Sequence, residues 1–206
     1  MITLGVTGGI GSGKSMACAM LAELGARVFN SDHEAKKLMQ EWPEVRADLI
    51  AQFGTEVFDE AGQLNRAYLA GQVFSDSAKL NQLNKIVHPR VREAFEAAKE
   101  QARKDGVSLL VKEAALIFET GADRFLDAVA VIHAEEDVRI QRVMARDDVT
   151  AEQVRARMKH QFSAETLLLS ADYVLYNNDD AAALRDKVEG LYDLVMEKEN
   201  GNQTSV

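Results

Sequence analysis

Eight consecutive residues, Gly8-Gly9-Ile10-Gly11-Ser12-Gly13-Lys14-Ser15, fit the spacing G-x-x-x-x-G-K-[ST]. Glycines in such a loop let the backbone approach phosphate oxygens and take conformations closed to other residues. Successive N–H groups then line a concave anion site at the start of a helix, whose dipole favours negative charge. Gly9, Ile10, Gly11, Ser12, Gly13, Lys14, Ser15 and Met16 are the expected cradle, the last through its backbone N–H. Lys14 is expected at the β- and γ-phosphates and the Ser15 hydroxyl on Mg²⁺. The chemistry expected first is therefore a nucleoside triphosphate held by its phosphates. The motif leaves the destination of the γ-phosphoryl group open: water, a small molecule, a protein, or no acceptor at all.

A second group is basic. Arg139, Arg142, Arg146, Arg155, Arg157 and Lys159 face only Asp147, Asp148 and Glu152 between positions 139 and 160, a local net charge of +3 in a chain of net −9. A lid closing over ATP would use such arginines to neutralise the transferring phosphoryl group. Arg142 and Arg146, four apart on one helical face, are the best catalytic candidates; a solvated helix pair laced with ion pairs is the other reading. Two carboxylates complete the set. Asp32 follows a short strand, at the sheet edge where open α/β sheets bind ligands, and would serve as general base or as a plain helix cap. Glu113, expected just past a strand end, is either a carboxylate behind Mg²⁺ or a surface charge.

The elements that must position these groups alternate. An apolar run, residues 2–6, leads into the motif, and a helical run, 14–24, leaves it and stops at Gly25. Residues 27–30 read as a short strand and 32–40 as a helix capped by Ser31 or Asp32. Pro43 suits the first turn of a helix running to about residue 52 and ended by Gly54. Asn65 caps a helix expected to reach Phe74; residues 79–87 read as helix, and Pro89 opens a long charged helix ending near Gly106. Residues 107–111 and 128–133 are continuous apolar strands of a buried parallel sheet. Residues 135–146 are helical, and Thr150 with Gln153 forms a capping box for a helix to about Gln161. Residues 173–176 form a last strand, and Asp180 caps a helix to about Lys198. The pattern predicts a three-layer α/β/α fold with a parallel five-stranded sheet and a helical block inserted between its halves.

Composition narrows the class. The chain has 206 residues, 47% of them hydrophobic, enough for one compact α/β domain with a core. Net charge −9 argues against a nucleic-acid or anionic-membrane surface. One cysteine, Cys18, rules out an internal disulfide and reads as a small buried residue. The four histidines lack paired metal spacing. No secretory signal or membrane span is visible, so a cytoplasmic location is expected. A guanine-reading N-K-x-D is missing, since Asn84-Lys85-Ile86-Val87 lacks the aspartate, and Asp59-Glu60-Ala61-Gly62 reads as a turn. Short length with a basic helical segment favours a small-molecule kinase over a GTPase or a mechanical ATPase.

Ordered elements run along nearly the whole chain. They are Thr7 with the Gly-rich loop, Asn30-Ser31-Asp32, Gly62-Gln63-Leu64-Asn65-Arg66, Val73-Phe74 and Leu83-Asn84…His88-Pro89. Leu116-Ile117-Phe118-Glu119, Gln141-Arg142…Arg146-Asp147-Asp148, Gln161 and Ala171-Asp172-Tyr173-Val174…Asn177-Asn178 follow. In that order they make the chain resemble the dephospho-coenzyme A kinase family. The resemblance implies that ATP phosphorylates the ribose 3′-hydroxyl of dephospho-CoA. It also implies a P-loop core (about 1–40, 106–138 and 170–198), a helical CoA-binding lobe (about 41–105) and a lid (about 139–165). Within the lobe Arg66, His88 and Arg92 would meet substrate phosphates, although a histidine before a helix-opening proline also serves to cap and pack. Three positions depart from the family pattern: Asn30 replaces an aspartate, Met16 a threonine and Ala115 a proline. The first puts a two-carboxylate arrangement in doubt but leaves Asp32 as a single base.

Overall fold

The computed structural model describes residues 1–73, 76–159 and 161–203. Phe74 of the Val73-Phe74 pair and His160 at the end of the basic segment lie outside the described residues. The chain divides into two compact units, residues 1–30 with 101–206, and residues 31–100. The division falls before Ser31, so the helix that the sequence grouped with the core belongs to the second unit.

The first unit is built on a parallel sheet of β1 (Ile2–Thr7), β2 (Arg27–Asn30), β3 (Leu109–Glu113), β4 (Ala128–His133) and β5 (Tyr173–Tyr176). Its strand order is β2-β3-β1-β4-β5. The three inner strands are covered on both faces, which is why they read as mainly apolar runs, with Thr3, Thr7, Lys112 and Glu113 the buried polar exceptions. One face packs on α1 (Lys14–Glu23) and α9 (Ala181–Gln203) through Leu4, Val6, Leu21, Val111, Ile132, Leu184 and Val188. Each such side chain, fully buried, contributes about 1.5–3 kcal/mol. On the other face a Cβ at Gly5 would meet Ile117 and Leu126 of the β3–β4 connection. That connection and α8 (Ala164–Ser170), which packs on β4, make the third layer. α6 (Glu136–Asp147) and α7 (Ala151–Met158) form a pair whose apolar side, Ile140, Val143 and Val154, packs on Ile10.

The second unit is helical: α2 (Ser31–Glu41), α3 (Pro43–Phe53), α4 (Arg66–Val73) and α5 (Ser77–Lys104) as far as Glu100. Val45, Leu49, Phe53, Val57, Phe58 and Leu69 form its separate core. None of the described helices is long and apolar enough to cross a membrane.

Three expectations are corrected. Pro89 lies inside α5 rather than opening a helix. Proline removes one N–H, so the Lys85 carbonyl gets no bond from it, but the apolar period continues through Val87, Val91 and Phe95 and holds the helix together. β3 spans 109–113, not 107–111, because pairing with β1 in the register Val6↔Glu113 carries the ladder past the last apolar residue. The helix begun at Thr150 stops at Met158, and α8 is an additional helix.

Candidate active site

The loop from Gly8 to Gly13 joins β1 to α1, and three of its glycines take positive φ: Gly8 at 147°, Gly11 at 79° and Gly13 at 99°. Neighbours enforce glycine as well. A Cβ at Gly8 would collide with the Ile132 carbonyl, and one at Gly13 with the Asn177 side-chain amide. A Cβ at Gly11 would sit 2.6 Å from the Arg139 carbonyl oxygen. Strand β4 and helix α6 thus press directly on the loop.

Distant side chains hold it. Asn177, buried at the end of β5, donates through Nδ2 to the Ser12 carbonyl at 2.8 Å. Gln161 accepts from the Ile10 N–H at 2.9 Å and donates to the Ala115 carbonyl at 3.2 Å. Lys14 Nζ donates to the carbonyls of Gly8 at 2.8 Å and Gly9 at 3.2 Å, so the ammonium lies across the mouth of the loop. Met16 stands at the surface, its side chain about half exposed.

Behind the loop the Ser15 hydroxyl donates to Glu113 Oε1 at 2.6 Å, and Asn30 Nδ2 donates to Oε2 at 2.7 Å. Glu113 is therefore the last residue of β3, not a residue past it, and is 8% exposed rather than a surface charge. Asn30, one of the three departures, supplies a neutral donor to this carboxylate. A hydroxyl beside a carboxylate is a hard oxygen donor set that suits Mg²⁺ completed by phosphate oxygens and water. Burial, and then the Glu113 carboxylate, push the Cys18 thiol pKa up against the pull of Lys14.

The basic segment is more committed than its composition suggests. Arg142 donates to the carbonyls of Asn177 at 2.9 Å and Asp179 at 3.3 Å. Arg146 pairs with Asp147 at 2.7 Å, and Arg157 reaches the same carboxylate at 2.8 Å. Hydrogen bonds from Arg146, and then Arg157, hold the Asp147 carboxyl at about 2. Arg155 pairs with Glu136. Arg139, which the sequence counted only toward local charge, packs its guanidinium against Gly9. Its Nε is buried with no hydrogen-bond partner among the described residues.

In the second unit Asp32 is exposed in the first turn of α2, and Arg66 is exposed at the first position of α4. His88 and Arg92 are exposed four residues apart on one face of α5. The described residues hold no cluster of three or more His, Cys, Asp or Glu suited to a metal ion.

The dephospho-CoA kinase family model matches residues 2–183. This chain belongs to the dephospho-CoA kinase family. A dephospho-CoA kinase of Salinibacter ruber is 55% identical over 192 residues, 93% of this chain and 96% of the relative. That of Chlorobaculum tepidum is 44% identical over 195 residues, 93% of each chain. A crystal structure from Thermus thermophilus superposes with a TM-score of 0.79 at 32% identity, covering 92% of this chain and 95% of the other. Membership in the dephospho-CoA kinase family makes the chain a kinase with ATP as co-substrate and a small-molecule acceptor. Of the distant residues that meet the loop, Asn177 and Gln161 stand in family elements, whereas Arg139 entered only through local charge.

Proposed function

We propose that the chain transfers the γ-phosphoryl group of ATP to the ribose 3′-hydroxyl of dephospho-CoA, giving CoA and ADP. The observation that carries this reading is the glycine loop with Lys14 across its mouth and Ser15 on Glu113, in a chain of this family. The acceptor oxygen forms a bond to the γ-phosphorus while the bond to the bridging β–γ oxygen breaks. That electron pair stays on ADP, and the hydroxyl proton passes to a carboxylate.

Asp32 is the proposed base. Its carboxylate stands exposed in the first turn of α2, where it can take a proton from an incoming hydroxyl. Lys14 and the backbone N–H groups of Gly9 to Met16 hold the phosphates, and no reorganisation is needed as charge moves toward the bridging oxygen. Mg²⁺, held by Ser15 with Glu113 behind it, would neutralise phosphate charge. Arg142 and Arg146 are proposed as lid cations, the first also fixing the Asn177 loop; Arg146 must exchange Asp147 for phosphate. Residues 139–165 act as that lid in a cytoplasmic enzyme. Arg66, His88 and Arg92 offer cationic or hydrogen-bonding heads to an acceptor that itself carries phosphates.

The test is ADP release by purified protein with Mg-ATP, with and without dephospho-CoA, with the product mass read. An acceptor-dependent rate and a product heavier by one phosphoryl group are expected; ADP release indifferent to dephospho-CoA would remove the assignment. Asp32→Asn should bind both substrates and lose about 10²–10⁴-fold in kcat, the usual range for a general base. A near-normal kcat would take Asp32 out of that role.

A further inference from the structure

Gly9 has two cations beside it. Lys14 Nζ donates to its carbonyl at 3.2 Å, and the Arg139 guanidinium packs so closely on its Cα that a Cβ there would collide with Nη1. Gly9 is the second residue of the loop, near its strand side. In this motif the lysine reaches the β- and γ-phosphates, so its ammonium marks the terminal end of the triphosphate site. Arg139 flanks that same end.

Its neighbours in the basic segment are bound elsewhere: Arg142 to carbonyls, Arg146 and Arg157 to Asp147, Arg155 to Glu136. Arg139 has no such engagement among the described residues. Its Nε is buried without a partner, although it is a cation whose loss of water calls for a strong acceptor. Burial pulls its pKa below the ordinary arginine value, against the pull of Glu136 and Glu135. Arg139 also lines a cavity of about 240 Å³ together with Gly9, Glu136, Gln161 and Phe162. Glu136, the carboxylate lining that cavity, is already paired with Arg155.

We propose that Arg139 is a further catalytic residue, binding the γ-phosphoryl oxygens of ATP at Gly9 beside Lys14. A planar guanidinium presents several N–H donors to a phosphoryl group in fixed geometry, and such charge-assisted bonds strengthen as negative charge is drawn together in a water-poor site. The backbone of Arg139 serves the same packing, since its carbonyl lies against Gly11 and fixes where the side chain starts. The inference rests on the kinase reading but not on the acceptor's identity.

The experiment measures equilibrium binding of ADP and of a non-hydrolysable ATP analogue, without acceptor, to wild type, Arg139→Ala and Arg139→Lys, together with turnover. The control outside the basic segment is Arg185→Ala on α9, whose exposed side chain pairs with Glu23. Arg139→Ala should weaken the triphosphate analogue about 10–100-fold and ADP less than about threefold, the span of one or two charge-assisted bonds. Its kcat should fall at least as far, Arg139→Lys should recover part of both, and Arg185→Ala should match wild type. If Arg139→Ala does not fold, Arg139→Gln keeps the stem, drops the charge and makes the same comparison. Equal loss of ADP and triphosphate, or unchanged discrimination between them, would overturn the proposal. So would a defect confined to the acceptor KM. Because the binding measurement omits dephospho-CoA, it stands even if another acceptor proves to be the substrate.

Discussion

The glycine loop and the basic α6–α7 pair are neighbours in one compact unit, yet their polar groups are held in opposite ways. Around the loop the bonds are long-range and enclosed: Asn177 to Ser12, Gln161 to Ile10, Glu113 to Ser15 and Asn30. On α6 and α7 three arginines pair with acids of the same two helices at the surface, Arg146 and Arg157 on Asp147, Arg155 on Glu136. A buried bond whose partner is removed leaves an unsatisfied group, whereas an exposed ion pair is worth little and exchanges easily with water or another anion. The loop is therefore a fixed receptor, and these three arginines are charge that costs little to redirect, unlike Arg142, which is bonded to the Asn177 and Asp179 carbonyls. Arg139 belongs to the basic helix by position but to the loop by its burial.

The comparison breaks most sharply at Gly8. Gly8→Ala combines a φ of 147° with a collision against the Ile132 carbonyl. Strain and overpacking together should cost about 2 kcal/mol or more and displace the loop, so nucleotide binding should be lost in calorimetry. Normal ATP affinity in this variant would show that the loop is not rigid.

A milder cut is Asn177→Ala, which leaves the Ser12 carbonyl without its amide donor. A buried group so orphaned costs about 1–3 kcal/mol. The melting temperature should fall by roughly 3–10 °C for a chain of this size, with a raised KM for ATP. A melting temperature equal to wild type would place the loop's rigidity elsewhere.

The smallest effect belongs to the surface pairs. Asp147→Asn should move the melting temperature at pH 7 by less than about 1 °C, as exposed ion pairs generally do. Its signature lies in acid. The folded carboxyl titrates at about 2, below its ordinary 3.8, so its contribution is complete above pH 3.8 and disappears as pH falls toward 2. Solvent screening keeps that component as small as the loss at pH 7, and the acid titration of stability in Asp147→Asn should lack it. An unchanged acid profile would mean that Arg146 and Arg157 do not hold Asp147 in solution.

The chain alone determined whatever depends on near neighbours. Continuous apolar runs marked the inner strands because a parallel sheet is buried on both faces. Caps were legible at Asn65, Thr150 with Gln153, and Asp180, where a side chain bonds the backbone within three residues. The nucleotide loop was legible because glycines, lysine and serine must be contiguous to cradle phosphate. Only the tertiary structure decided which distant residues serve that loop. Ser15 and Glu113 are 98 residues apart, Ile10 and Gln161 are 151 apart, and Ser12 and Asn177 are 165 apart. Their meeting depends on the strand order and on register, as when Val6↔Glu113 carries β3 past its apolar run. Charge counting could not separate Arg139 from Arg142 and Arg146, because the three differ only in what the fold sets against them: a glycine, a carbonyl or a carboxylate.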